Sequence, residues 1–327
     1  MMNQHSPNVG RHAKEQSTYR RVVWHAGIIC VLLLAAAVTF GIVRLLPIFT
    51  HKTYDAAQST QKSPTSFYGI EVSGRVGATP VLTVSETISL TGAKRQVLTR
   101  GMGRVIREES PVLLSITAFD GRDGSILSPH GRPQITLGRA STQVFDQEIL
   151  RAVVGKTEGT RLLYVRYLSE EERAESASPI EIDVIDILYT VAQGSNVDVS
   201  TGPMDVTIAP EGPIIRHGET PPDNVTAHPL IRGYGPQVQL DDRLVVQFIA
   251  TGWTDGIVRD ATWSTGVPRM LRLGEAMPGI RQALVDQRVG SRVAITIPPD
   301  LAYGDDTLCV LVDILAAEPA NDTEESG

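Results

Sequence analysis

Apolar and polar positions along this chain fall into two kinds of pattern. Near the N-terminus lies one unbroken apolar run, Val22 to Val43, 22 residues without formal charge. At about 1.5 Å per residue in a helix, such a run can cross a hydrocarbon core of roughly 30 Å. Beyond residue 66 the pattern changes to short apolar runs of strand length broken by Gly, Asp and Pro. "PQITLG" (133–138) precedes a helix-like "STQVFDQEILRAVVG", then "EGTRLLYVRYL" and "PIEIDVIDIL" (179–188). "PRMLRLG" (268–274) precedes "MPGIRQALVDQ", then "VGSRVAITI" and "DTLCVLVDIL" (306–315). Strand, helix, glycine turn, strand and closing strand therefore recur in order, about 130 residues apart.

The upstream parts match as well. "PVLLSITAFDGRDGSIL" (111–127) pairs with "RLVVQFIATGWTDGIVR" (243–259) and aligns Asp123-Gly124 with Asp255-Gly256. Aspartate-glycine between two apolar runs is a turn signal. Met277, Ile280 and Leu284 share one helix face, with Pro278 near the helix start. Several strands and one short helix per unit predict an antiparallel sheet wrapped on a helix, an α+β fold.

This pattern divides the chain into a cytoplasmic tail (1–21), a transmembrane anchor (22–43) and a polar linker (44–66). Two repeated units (67–192 and 203–317) and an acidic disordered tail (318–327) follow. Arg11, Lys14, Arg20 and Arg21 precede the apolar run, and few basic residues follow it, which places the N-terminus in the cytoplasm and the repeats outside. A cleaved signal peptide would have a shorter apolar core and small residues spaced A-x-A beyond it. A lipoprotein would carry its cysteine at the end of the core, whereas Cys30 lies inside the run. A retained single-pass anchor is the reading that fits.

Composition changes this picture little. A net charge of −7 offers no basic patch for nucleic acid. Cys30 and Cys309 lie in distant segments, so apolar cores rather than a disulfide must hold the fold. The seven histidines never fall at a metal-ligand spacing, and neither a metal nor another cofactor is expected.

In the second unit the ordered pieces "LVVQF", "DGIVRDATW", "PRMLRLG", "MPGIRQAL", "VGSRVAITIPPDLAYG" and "DTLCVLVDIL" resemble the FKBP family of peptidyl-prolyl cis-trans isomerases. The resemblance covers about residues 225–317 and reaches the first unit only through the repeat. Anchor plus tandem units looks like exported FKBP-type proteins of actinobacteria. The resemblance implies two FKBP-like domains, each a half-barrel of antiparallel strands around one helix, with an apolar pocket between helix and sheet. A proline of an unfolded or exported polypeptide enters that pocket. Rotation about an X-Pro bond faces a barrier of about 18–20 kcal/mol from amide resonance and takes tens to hundreds of seconds unaided. No nucleophile is needed, because a water-poor pocket accommodates the twisted amide better than the charge-separated planar one.

The resemblance also carries residue roles. Tyr303 matches the tyrosine expected to hydrogen-bond the peptide carbonyl, and Asp260 the aspartate of a Phe-Asp pair; these two are the catalytic candidates. Ala276 and Met277 match a Val-Ile pair whose backbone borders the ligand, and Leu271 joins the substrate-contacting set. Phe248 stands where a tyrosine is common, Ile280 replaces the tryptophan of the pocket floor, and Val310 replaces a strand phenylalanine. Arg259 and Arg269 replace two further wall aromatics. The loop after "AYG" is reduced to Asp305 and Asp306 before the run Thr307 to Leu315. Plainer roles exist: Tyr303 as a rim tyrosine, Asp260 as a turn residue, Phe248 and Met277 as core, and Trp253 and Trp263 as half-buried surface aromatics, Trp263 within reach of the rim.

An unpaired guanidinium in a dry cavity is costly. The arginines must therefore either lay their stems along the rim, giving a cationic rim that favours Glu or Asp beside the proline, or pair with Asp260 and Glu275, which ties up Asp260 and argues for a scaffold without catalysis. In the first unit the counterparts are Leu127-Ser128 and Ile116, and "SEEERAESASP" reads as a solvated loop with no pocket chemistry. The expected function is an anchored extracytoplasmic prolyl isomerase with reduced activity in the second unit. The alternatives are a non-catalytic chaperone or interaction module on the same scaffold, and a spacer within a membrane assembly.

Overall fold

The computed structural model describes residues 67–175, 178–197 and 202–319. The expected tail, anchor and linker over 1–66 lie outside the described residues, as do 320–327. Among the described residues no helix is long and apolar enough to cross a membrane.

A hairpin of β1 (Ile70–Ser73) and β2 (Val81–Val84) comes first. It is followed by β3 (Lys94–Thr99), β4 (Pro111–Asp120), β5 (Gln134–Arg139), helix α1 (Gln147–Val153), β6 (Arg161–Tyr167), helix α2 (Glu170–Glu175) and β7 (Ile180–Ile187). The five strands β3 to β7 form one antiparallel sheet in the order β3-β6-β7-β4-β5. The short β8 (Gly194–Asn196) then leads to a second hairpin, β9 (Met204–Ala209) and β10 (Gly212–His217). After it come β11 (Thr226–Gly233), β12 (Arg243–Gly252), β13 (Val258–Ala261), β14 (Arg269–Arg272), helix α3 (Pro278–Leu284), β15 (Arg292–Ile297), helix α4 (Pro299–Ala302) and β16 (Leu308–Glu318). The second sheet runs β13-β12-β16-β15-β11-β8, with β14 also paired to β12. Its central order, β11-β15-β16-β12-β14, is that of the first sheet, and the registers agree: Ile116 faces Ile185 as Phe248 faces Val312.

Both faces of each sheet are covered. In the second, Leu244, Val246, Val293, Ile295, Val310 and Val312 pack against Ile280, Ala283 and Leu284 of α3. The alternate residues Ala294, Cys309 and Leu311 pack with Trp253 against Met204, Val206 and Ile215 of the β9–β10 hairpin. The first sheet repeats the arrangement, with Leu114, Leu162 and Ile185 under α1 and Phe119, Leu163 and Ile182 under the β1–β2 hairpin. Successive side chains of a strand point to opposite faces, so a strand buried on both sides reads as nearly continuous apolar sequence. "LCVLVDIL" and "IEIDVIDIL" have that form because a helix lies on one side and a hairpin on the other. The Asp-Gly turns form as expected: Asp123 accepts the Ser125 N–H and Asp255 the Ile257 N–H, each at 2.9 Å, with Gly124 and Gly256 at positive φ.

The aspartates that interrupt these strands have partners. Arg161 donates two hydrogen bonds, of 2.6 and 2.7 Å, to Asp186, and Arg292 donates two of the same lengths to Asp313. The two pairs occupy the same place in the two sheets. Arg161 also donates to the Gly74 and Arg75 carbonyls, and Asp186 accepts the Gly77 N–H, which fixes the turn of the first hairpin. Asp313 accepts the Ala192 N–H at 2.8 Å, fixing the segment between the sheets. Leu113 and Leu188 meet Val245, Leu315 and Ala316 where the sheets abut.

Three expectations need correction. Glu318 is not part of a disordered tail: it closes β16, pairs with Arg243 and accepts the Ile135 N–H of β5. "SEEERAESASP" is not a plain loop, because its start forms α2, where Ser169 and Glu172 exchange the reciprocal bonds of a capping box. Trp253 is not a surface aromatic. It is buried beneath the second hairpin and stacks on His217 with centroids 4.0 Å apart. Trp263, half-buried, packs on that same face, with the Arg292 guanidinium over its ring at 5.9 Å. Both placements follow from the hairpin, which gives the face opposite α3 an apolar cover.

Asp313 is fully buried and Arg292 nearly so, with 12% of its side chain exposed. Asp313→Ala leaves a desolvated guanidinium without its partner and is expected to cost about 3–5 kcal/mol in equilibrium denaturation. Replacing both partners, Arg292→Met with Asp313→Leu, is expected to recover most of that loss; a double variant as unstable as the single one would contradict the electrostatic origin of the effect.

Candidate functional site

The site is organised by β12. Its helix-facing residues are Leu244, Val246, Phe248 and Ala250, and the strand's free side pairs first with β14 and then with β13. Val246 faces Arg269 and Ala250 faces Asp260, and side chains directly opposite in an antiparallel pair share a face. Phe248 lies between them, where neither strand pairs. There Thr262 supplies its hydroxyl to the Phe248 N–H at 2.8 Å and its N–H to the Phe248 carbonyl at 2.9 Å, so residues 262–268 loop out around the ring position.

Arg269 bridges the gap. It donates two hydrogen bonds to Asp260, the longer at 3.1 Å, while its guanidinium carbon sits 5.1 Å from the Phe248 ring centroid. The guanidinium beside Asp260 holds that carboxyl below the usual carboxylate range. Each side chain is about half exposed, so the pair itself contributes at most about 1 kcal/mol. Its importance is positional, because it lies across the aromatic face.

The floor is apolar. After a turn at Leu273–Glu275, Ala276 is buried, Met277 caps α3 and Pro278 opens it, which brings Ile280 onto the sheet. Val310 of β16 is buried in the same cluster as Ile280, with Phe248, Leu271 and Met277 packed against it. The helix approaches the sheet so closely that a Cβ on Gly279 would lie 2.2 Å from the Ile297 side chain. Tyr303 is the left-handed C-cap of α4, at φ 55°, and is 75% exposed. Residues 304–307 are all that separates it from β16.

The two arginines therefore behave differently. Arg269 pairs with Asp260, the second of the two expected arrangements. Arg259 joins neither Asp260 nor Glu275: it donates to Asp255 at 2.8 Å and lies 3.7 Å from Asp306. Glu275 instead sits 3.8 Å from Arg272. The rim is not cationic as a whole, since Arg259 stands among Asp255, Asp305 and Asp306. Only Arg269 borders an uncharged stretch, residues 262–268.

The first sheet holds what the sequence reading missed. By register, Asp183 occupies the position of Val310, Arg166 that of Ile297 and Glu181 that of Leu308. Arg166 donates to Glu181 at 2.6 Å and to Glu172 at 3.0 Å, and lies 3.9 Å from Asp183. The signal was present in "IEIDVIDIL". Asp183 and Asp186 stand three apart in one strand, so they face opposite sides of a doubly covered sheet and each needs a partner there.

Burial, with Glu181 close by, pushes the Asp183 carboxyl up to about 7. Its folded value thus exceeds the unfolded value of about 3.9, and the native state binds the extra proton between the two. This group's contribution makes stability fall as pH rises from about 4 to 7 and leaves it flat outside that window. Asp183→Val, which installs the second sheet's residue, is expected to flatten that slope and to stabilise the protein by a few kcal/mol at pH 8. An unchanged slope in denaturant titrations from pH 4 to 8 would show that the Asp183 carboxyl titrates alike in the folded and unfolded states.

A family model described as FKBP-type peptidyl-prolyl cis-trans isomerase matches residues 235–314, the segment that contains the Phe248–Asp260–Arg269 site, α3 and Tyr303. An FK506-binding protein of Streptomyces anulatus is 31% identical over 90 residues, which are 27% of this chain and 73% of that protein. The FKBP-type peptidyl-prolyl cis-trans isomerase FkpA of Escherichia coli K12 is 31% identical over 97 residues, 27% of this chain and 36% of FkpA. The crystal structure of FkpA aligns with a TM-score of 0.29 at 25% identity, over 36% of this chain and 53% of that one. Neither hairpin nor the first sheet falls within the matched segment. The chain belongs to the FKBP-type peptidyl-prolyl cis-trans isomerases.

Proposed function

We propose that this chain is a membrane-tethered, extracytoplasmic prolyl isomerase that assists the folding of exported polypeptides, with reduced activity located in residues 203–317. The observation that carries this reading is the gathering of Phe248, Asp260, Leu271, Ile280 and Val310 on the helix side of one sheet, within the family segment. A proline ring seated against Phe248 and the Ile280–Val310 floor leaves water, and its planar, charge-separated amide loses more solvation than the twisted one does. Asp260 and Tyr303 act on the peptide from the rim. The activity is reduced because Arg269 engages Asp260 and overlies the ring.

The first sheet is, in this reading, a degenerate second copy of the same half-barrel. The shared strand order, the two Asp-Gly turns and the two Arg–Asp pairs support it. With Asp183, Arg166 and Glu181 in place of apolar residues it offers a proline no dry floor. The tether is supported by the uncharged run Val22–Val43 and its basic N-terminal flank. A second reading, a non-catalytic chaperone or interaction module, is favoured by the 75% exposure of Tyr303 and the short turn after it.

Residues 62–327, which form one compact unit, are expected to accelerate X-Pro isomerisation in a peptide assay. Phe248→Ala is expected to lower kcat/KM about tenfold, whereas Ile116→Ala, at the matching position of the first sheet, is expected to leave it unchanged. Equal loss in the two variants would remove the assignment of activity to the second sheet. No acceleration by any form, with aggregation of a proline-free client still suppressed, would favour the chaperone. External protease added to wall-less cells is expected to digest residues 52–327, and full protection would reverse the topology.

A further inference from the structure

The contact between Arg269 and Phe248 bears on which prolines the site accepts. Cation–ring stacking is favourable, by about 0.5–1 kcal/mol at exposed sites. A proline that uses the same aromatic face must displace the guanidinium. Arg269 cannot retreat into the floor, because Leu271, Ile280 and Val310 offer it no acceptor and a guanidinium without one is strongly disfavoured there. It must turn outward, and what it meets there sets the cost of opening.

Asp260 is the carboxylate that acts on Arg269. The neighbouring segment, residues 262–268, carries no formal charge, and the surplus carboxylates Asp255, Asp305 and Asp306 act on Arg259 instead. A guanidinium has five N–H donors, of which Asp260 takes two. Arg269 thus has donors to spare, is acted on by no acid other than Asp260, and already lies over the Phe248 ring on which a proline would sit. A carboxylate brought in beside that proline can take up the displaced guanidinium as it leaves the ring. An apolar neighbour provides nothing in exchange.

We propose that Arg269 is a specificity-determining residue that selects prolines flanked by an acidic residue, the incoming carboxylate replacing the aromatic ring as the partner of its guanidinium. This rests on the prolyl-isomerase reading of the same site, and the two can be separated by measuring binding as well as turnover.

The experiment uses residues 62–327 and tetrapeptides with Glu, Leu or Lys on either side of a central proline. Affinity is read by fluorescence anisotropy of labelled peptides and kcat/KM by isomerisation. In the wild-type protein the better Glu-flanked peptide is expected to bind roughly five-fold more tightly than its Leu counterpart, the scale of an exposed ion pair. That preference is expected to shrink as salt rises from 20 to about 500 mM and the Debye length shortens. Arg269→Gln is expected to abolish the preference and Arg269→Glu to reverse it in favour of Lys. Arg259→Gln, in the acid-rich part of the rim, is expected to leave the Glu-over-Leu ratio in place. Thermal melts of each variant check folding, and the ratio between peptides is independent of the fraction of active protein. Equal affinity for Glu-, Leu- and Lys-flanked peptides in both wild type and Arg269→Glu would overturn the proposal. Reversed affinities without turnover of any peptide would uphold Arg269 as the selector and count against the isomerase reading instead.

Discussion

Each sheet is organised around a buried arginine–aspartate pair, Arg161–Asp186 in the first and Arg292–Asp313 in the second. Removing such charges from water costs several kcal/mol per ion, so the pairs survive only where every donor and acceptor finds a partner. That requirement reaches beyond the pairs. Arg161 is complete only when the carbonyls of the first hairpin's turn come up to it, and Asp313 only when the Ala192 N–H does. Hairpin placement in one unit and the join between the sheets in the other are thus tied to the satisfaction of buried charge. A buried pair also favours a particular register, since a one-residue slip of either strand would carry its partner to the opposite face and separate the two charges.

The hairpins follow from the same geometry. An antiparallel sheet can leave one face in water, and strands built that way alternate apolar and polar residues. Here β16 and β7 carry apolar residues on both faces, which obliges a second cover beyond the helix. β9–β10 supplies it in one unit and β1–β2 in the other. Trp253 and Cys309 are buried as a result, and burial beneath that cover raises the Cys309 thiol to about 12, leaving it un-ionised and unreactive at neutral pH. The candidate site lies on the other face, under α3.

On that face the two sheets diverge through a few residues. The framework of β12, β16 and α3 is matched by β4, β7 and α1, yet Val310 corresponds to Asp183 and Ile297 to Arg166. A dry apolar floor in one unit becomes a web of Arg166, Glu172 and Glu181 around a carboxyl held near neutrality in the other. A single scaffold therefore carries two unlike interiors. The short turn after Tyr303 leaves that residue 75% exposed.

The sequence by itself determined the recurring order of strands and helices and the α+β class, and it named candidate residues that the fold gathers beside α3. These depend on periodicity, on Asp-Gly turns that need positive φ and on an ordered motif set, all of which are local along the chain. Phe248, Ile280, Val310, Leu271 and Met277 were named through the family resemblance, whereas periodicity alone put only Met277, Ile280 and Leu284 on one face. What no local pattern could assign was which charge meets which. Arg259 and Arg269 look alike in sequence, and only the pairing of β13 and β14 along the same side of β12 brings Arg269 to Asp260 and leaves Arg259 to Asp255. The hairpin covers were equally hidden, since a weakly apolar segment such as Met204–His217 reads as a layer only once the naked face it must cover is known. Contacts between residues far apart in the chain depend on closing long loops around a common sheet, and tertiary structure decided them.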